Sequence, residues 1–263
     1  MTMDDADADR YLARLQCARP RRADPDALLR LQQAHLQQVP FENLSIHWGE
    51  PMSLARDHLF DKLVVQRRGG FCYECNGLLA ELLQTLGFPT TLLSARVARG
   101  DGDYSPEFDH LVLRVELATT WLVDVGFGHS FRAPLQLVPD LVQRDPGGAY
   151  RLCRDGDDWR LESQAAGDWA PTFRFGHEPR RLDAFQAMFE FHRDAPASHF
   201  RKAPLATIAT ADGRTTLSGR RLIRSTLAGH RTESEVAEPD YPAVLARELG
   251  IVRRASQGTR PHG

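Results

Sequence analysis

Apolar positions in the first third of the chain recur at helical spacing. From Tyr11 the run YLARL sets up one apolar face. Asp24 followed by Pro25 reads as an N-cap with proline in the first turn, opening a helix through ALLRLQQAHLQQ that stops before Pro40. The apolar segment VPFENLSI contains that proline and is expected to be a packed turn. A third helix is expected from about Gly70-Phe71-Cys72 through NGLLAELLQTLGF. Leu78, Leu79, Leu82, Leu83 and Leu86 form its apolar face, and Gly87 is its C-terminal stop.

From Thr90 the period changes. TTLLSARVA, HLVLRVELA, TWLVDVGF, AYRLCRD and DWRLESQ are short β-branched and aromatic runs parted by Gly and Asp turns, and RGDGDYSPEFD is a polar loop between two of them. They predict an antiparallel sheet or barrel. One more helix is expected over LDAFQAMFEF, a hairpin turning at Ala211-Asp212-Gly213, a short helix at YPAVLAREL, and a disordered tail at RRASQGTRPHG. No repeat or low-complexity linker interrupts the chain. Helices first and strands after point to an α+β fold.

The composition narrows the class. At 263 residues, 42% hydrophobic and 26% charged, the chain has the balance of a globular protein with a real core. A net charge of -2 leaves no basic footprint for nucleic acid or an anionic membrane. No apolar run approaches the roughly 20 residues that cross a bilayer. The acidic start MTMDDADADR lacks the pattern of a secretory signal, so the cytoplasm is the expected compartment. Cys17, Cys72, Cys75 and Cys153 are too few for a disulfide scaffold and are expected as thiols.

Chemistry concentrates in RRGGFCYECNG. Two glycines permit a tight turn, and Cys72 then falls at the start of the Leu-rich helix. There the unpaired N–H groups and the dipole are expected to lower the thiol pKa. The local sequence is equally compatible with a small buried hydrophobe. A cysteine nucleophile needs a base and something to orient it. His110 stands at the entrance to one predicted strand and Asp124 near the end of the next, where a short turn makes neighbours of them; a surface histidine and a turn aspartate is the other reading. In VDVGFG, Gly126 and Gly128 are expected to leave N–H groups free for phosphate or carbonyl oxygens, though an ordinary turn fits as well.

Together, RGGFCYECNGLL, VPFENLSI, the strand pair from His110 to VDVGFG, and SHF…ADGRTTLSGRRL resemble the arylamine N-acetyltransferases in order and spacing, from about Tyr11 to Arg224. The resemblance implies a helical bundle carrying the cysteine (1–87), an antiparallel β-barrel carrying His and Asp (88–190) and an α/β lid (191–263), around a cysteine-protease-like triad of Cys72, His110 and Asp124. It implies acetyl-CoA as co-substrate with no metal, and transfer through Cys72 to an aromatic amine, hydrazine or hydroxylamine. Gly126, Phe127, Gly128 and Phe200 are the implied CoA contacts, and Phe41, Tyr73, Phe127 and Phe200 the implied amine contacts. Glu42 and Arg68 are implied as a buried structural ion pair.

The sequence departs from the family pattern in two places. Cys75 makes C-x-x-C with Cys72, the spacing of a redox pair, and Asp109 precedes the histidine where many relatives carry a hydroxyl residue. Two rival enzymes share the triad: a thiol hydrolase, and an amide synthase that closes a macrocycle. Zinc is disfavoured because Cys17, Cys153 and His110 are scattered singly. His129 and His199 are placed near the cleft as possible CoA contacts, and Arg220-Arg221 as a solvated face or a phosphate contact.

Overall fold

The computed structural model describes residues 3–100, 102–165 and 167–253, so most of the expected disordered tail lies outside it. Helix α1 spans Asp5–Leu15, starting well before Tyr11 because the Asp4 carboxylate accepts the Asp7 N–H and two further aspartates meet the positive end of the dipole. Helix α2 spans Pro25–Gln38 behind its Asp24 cap, as the sequence predicts. VPFENLSI is not a turn. It forms strand β1 (Phe41–Glu42) and helix α3 (Leu44–Trp48), because β1 pairs with a strand some 160 residues later, which local periodicity cannot announce. Helix α4 (Arg56–Phe60) runs on into a π-helical turn, Asp61–Val65. Helix α5 spans Cys72–Thr85, and Gly87 beyond it takes the left-handed φ of 84° that a C-terminal stop requires. The buried faces of α1, α2 and α5 meet in one core, joined by Phe185 and Phe189 from much later in the chain.

Eight strands build a second layer: β2 (Thr90–Val97), β3 (His110–Glu116), β4 (Thr120–Val123), β5 (Leu135–Gln136), β6 (Gln143–Asp145), β7 (Gly148–Asp155), β8 (Asp158–Ala165) and β9 (Asp168–Phe175). Their order is β5-β4-β3-β2-β9-β8-β7-β6, and every pairing is antiparallel. The two edges approach each other. The Gln143 side chain accepts from the Gln136 N–H at 2.7 Å and donates to its carbonyl at 3.0 Å, satisfying edge groups that would otherwise be exposed. The resulting barrel-like sheet is filled by Leu93, Val112, Leu122, Leu152, Leu161 and Phe173.

The expected helix over LDAFQAMFEF begins as a 3-10 turn, Leu182–Phe185, and continues as α6 (Gln186–Asp194). Strands β10 (Leu205–Thr210), β11 (Gly213–Ser218), β12 (Arg221–Thr226) and β13 (Arg231–Glu235) follow, with the predicted hairpin between β10 and β11. With β1 at one edge they make a five-stranded sheet, order β1-β10-β11-β12-β13. Helix α7 (Tyr241–Leu249) covers the face bearing Ala206, Leu217 and Leu222. No described helix is long and apolar enough to cross a membrane.

Candidate active site

Cys72 is the first residue of α5. Its approach is fixed by Gly69, where a Cβ would lie 1.9 Å from the Pro40 carbonyl oxygen, and by Glu74, whose carboxylate accepts the Phe71 N–H at 3.0 Å. The expected low thiol pKa is not what the surroundings produce. Burial pushes the Cys72 thiol well above its ordinary value, and the carboxylates of Asp124 and Asp109 add to that; the Leu111 N–H, hydrogen-bonded to the sulfur, opposes them. A lone thiolate is therefore disfavoured, and ionisation requires a base close enough to keep the proton in the site.

His110 opens β3 and Asp124 follows β4, so adjacent antiparallel strands bring them together. His110 Nε2 lies 2.8 Å from Asp124 Oδ2, both residues buried. Carboxylate on Nε2 fixes the tautomer with the proton there and leaves Nδ1 as the acceptor. Sequence reasoning missed the residue that joins this pair to α5. Asn76, fully buried one turn after Cys72, donates to Asp124 Oδ1 at 2.8 Å and to the Leu111 carbonyl at 2.7 Å, and accepts from the Val125 N–H at 2.9 Å. Its i+4 spacing from Cys72 was the available signal.

Gly126 plays a different part from the one expected of it. Its N–H is spent on Asp124 Oδ1 at 2.8 Å, and its missing side chain lets the loop pass Cys72. A Cβ there would lie 2.5 Å from Cys72 Cα.

Cys72, His110 and Gly126 open on a cavity of about 380 Å³, walled by Phe41, Phe127 and Phe200. Phe127 meets the His110 ring edge-on at 5.1 Å, and Phe200 packs 6.0 Å from Phe41. Gly128 lies behind the Phe41 ring rather than on the cavity. Tyr73 does not reach it either. As the second residue of α5 it points into the core, fully buried, and its hydroxyl donates to the Phe108 carbonyl at 2.7 Å. Asp109 and His199 both line the cavity. Burial works to raise the Asp109 carboxyl, but His192, 3.1 Å away, and Ser105 outweigh it and hold it below its ordinary value.

A buried charge network supports the loop before Cys72. Arg68 pairs with Glu42 at 2.7 Å and Glu50 at 2.9 Å, and Lys62, on the π-turn, meets Glu74 at 2.6 Å. Cys75 faces this side. It is wholly buried, its thiol donates to the Gly70 carbonyl at 3.3 Å, and burial raises its pKa, all of which disfavour the thiolate that disulfide exchange needs. Arg220 and Arg221 are matched by Glu235 and Glu233 on the neighbouring strand.

Comparison with known proteins identifies the family and the fold. A family model described as N-acetyltransferase matches residues 24–257. An arylamine N-acetyltransferase of Mycolicibacterium smegmatis is 39% identical over 219 residues, covering 81% of this chain and 80% of that protein. One from Escherichia coli is 36% identical, covering 77% and 73%. The solved structure of the Salmonella typhimurium arylamine N-acetyltransferase superposes with a TM-score of 0.91 at 29% identity, covering 98% of this chain and 96% of that one.

Proposed function

The chain belongs to the arylamine N-acetyltransferase family, and from that membership we propose that it moves an acetyl group from acetyl-CoA to an aromatic amine, hydrazine or hydroxylamine in two steps through Cys72. The observation that carries the proposal is the His110–Asp124 contact of 2.8 Å on the same cavity as Cys72.

In the first step His110 Nδ1 takes the thiol proton. Because Asp124 already holds Nε2–H, the imidazolium that forms stays paired, which offsets the burial that keeps Cys72 protonated. The sulfur attacks the thioester carbonyl. The carbon–sulfur bond to CoA breaks, the leaving thiolate takes the proton from His110, and acetyl-Cys72 remains. The exchange of one thioester for another is nearly balanced in energy. In the second step the amine nitrogen attacks acetyl-Cys72 and His110 accepts the nitrogen's proton; the acetyl–sulfur bond breaks to release the amide, and His110 returns that proton to the Cys72 thiolate. Phe41, Phe127 and Phe200 give a planar amine an apolar bed. An arylamine's low basicity leaves its lone pair free near neutral pH. The reaction needs no metal, and the cytoplasm, which supplies acetyl-CoA and keeps thiols reduced, suits it.

Intact mass after incubation with acetyl-CoA alone tests the first step. We expect one acetyl group on Cys72, discharged when an arylamine is added, and no adduct or amide product from Cys72→Ala. Rate losses of order 10³–10⁶ are usual when a member of such a unit is removed, so near-parental turnover in that variant would sink the mechanism. Thioester hydrolysis without amine as fast as transfer would instead favour a hydrolase.

A further inference from the structure

Asp109 puts a carboxylate on a cavity whose aromatic walls are otherwise suited to an uncharged ring. Among the described residues that line it, Asp109 and Lys202 are the only Asp, Glu, Lys or Arg side chains. The two are placed differently. Lys202 is exposed just after the short turn His199–Arg201, where water and salt screen its charge. The Asp109 side chain is only 14% exposed. Histidines on the cavity do not balance it. His129 is not among the walls. His199 is, but burial and the neighbouring His192 lower its pKa, so it is uncharged near neutral pH. His110 must itself be neutral to accept a proton. The sheltered charge on this cavity is therefore negative, and it reaches the reacting sulfur, since Asp109 is one of the carboxylates that push the Cys72 thiol up.

The backbone holds that carboxylate in place. Phe108, the residue before it, takes a left-handed φ of 67°, which is uncommon and costly for a bulky side chain unless its surroundings enforce it. They do. The Phe108 N–H donates to Ser94 Oγ at 2.8 Å, and its carbonyl accepts from the Tyr73 hydroxyl at 2.7 Å. The same hydroxyl lies 3.1 Å from the Asp109 carbonyl. His192 is wholly buried and does not line the cavity; its Nε2 lies 3.1 Å from Asp109 Oδ1 and its Nδ1 3.4 Å from Ser198 Oγ. A molecule in the cavity thus meets the carboxylate and not the imidazole behind it. Asp109 stands one residue from the base, pinned on both sides.

We propose that Asp109 selects the acyl acceptor by charge: aryl amines with a cationic or neutral substituent are taken, and those with a carboxylate, such as aminobenzoates, are turned away. This rests on the two-step transfer through Cys72 proposed above. Phe41, Phe127 and Phe200 hold the ring, and Asp109 decides which sign of charge can accompany it. At the effective dielectric of a partly buried site, charges about 6–9 Å apart change binding by roughly 10- to 100-fold.

Three acceptors of nearly the same shape differ in charge: 4-aminobenzoate, 4-aminobenzamide and 4-aminobenzamidine. In a two-step transfer kcat/KM for the acceptor reports the second step alone, so any effect of Asp109 on the acetylation of Cys72 drops out. Ratios taken within one variant cancel the fraction folded, and comparing them with the parent cancels the amines' own reactivity. In Asp109→Asn, which keeps an oxygen for His192, we expect kcat/KM for 4-aminobenzamidine over 4-aminobenzoate to fall by roughly 10- to 100-fold. Relative to 4-aminobenzamide, the anion should gain and the cation lose. Equal changes on all three would mean that Asp109 only holds His192 and the turn bearing Phe200, and an unchanged ratio would mean that the acceptor does not sense its charge; either result overturns the proposal. A parent enzyme that acetylates no arylamine would overturn the functional reading instead. Protection of Cys72 from iodoacetamide then still decides the matter: stronger protection by 4-aminobenzamidine than by 4-aminobenzoate, lost in Asp109→Asn, supports charge selection, and equal protection by both overturns it.

Discussion

At Gly126 the positions of single atoms decide whether the site can exist. A Cβ would lie 2.5 Å from Cys72 Cα and 2.8 Å from Asn76 Nδ2, and the nearer of these belongs to the backbone and cannot rotate away. Gly126→Ala must therefore push apart α5 and the loop that carries Asp124. Displacements of about 1 Å in such a site cost on the order of 10²-fold in rate. We expect Gly126→Ala to fold, to melt within a few degrees of the parent, and to transfer acetyl about 100-fold more slowly; turnover within twofold of the parent would show that the close approach is dispensable. The same scale corrects the expectation for Cys72. Its place at the start of a helix was legible in the sequence, but the burial that reverses the direction of its pKa comes from β3, β4 and the loop after them.

At the scale of elements, periodicity revealed what is local. Helices α2, α5 and α7 and the β10–β11 hairpin lie where the spacing and caps place them. What escaped were β1, whose partner lies some 160 residues later, and segments too short or too polar for their own pattern to show: α3, α4, the π-turn with Lys62, and strands β5, β6, β9, β12 and β13. The candidate site was legible to a similar degree. Cys72, His110 and Asp124 carry types that chemistry demands, while Asn76 looks like any polar residue until the chain is folded. Helix packing also leaves a titratable signature. His35 on α2 is wholly buried with Nε2 2.9 Å from the Tyr11 hydroxyl of α1, and burial, aided by Arg14, lowers its pKa to about 3. A histidine held neutral in the fold favours the unfolded chain once pH drops below its ordinary value. Its stabilising effect is whole above about pH 6.5 and declines steadily as the pH falls toward the folded value. Between about pH 7.5 and 5.5 this one group should remove about 1.4 kcal/mol of folding stability. Urea unfolding at the two pH values should show His35→Gln, which keeps a hydrogen-bonding side chain but cannot titrate, losing less than the parent by that amount. Equal losses would mean that His35 protonates in the folded state.

Across the whole molecule, the cavity depends on contacts between parts of the chain that are far apart in sequence. Phe200, one of its aromatic walls, belongs to a short 3-10 turn of three residues and packs on Phe41, Phe71 and His192. Asn43, next to β1, holds that turn. Its Nδ2 donates to the carbonyls of Phe200 (2.8 Å) and Ala203 (3.0 Å), its Oδ1 accepts from the Leu205 N–H at 2.7 Å, and its own N–H reaches the Leu205 carbonyl at 3.1 Å. His47 adds a second hydrogen bond to the Phe200 carbonyl at 3.0 Å. β1 itself pairs with β10 through two residues, so one side chain supplies much of the hydrogen bonding between the first helices and the last sheet. Asn43→Ala strips these bonds while leaving the backbone pairing. Because Asn43 borders the cavity, water can reach part of what is exposed, which limits the cost to local opening rather than global unfolding. Amide exchange across residues 199–205 should accelerate about 10- to 100-fold, as expected for losing roughly 1.4–2.7 kcal/mol of local stability. Amides in α5 and β3 should keep their protection. KM for the amine should rise with Phe200 loosened, while acetylation of Cys72 by acetyl-CoA persists, since among the described residues no hydrogen bond joins Asn43 to Asp124, His110 or Asn76. Faster exchange throughout the molecule would show instead that Asn43 holds the whole fold, and the cavity only as part of it.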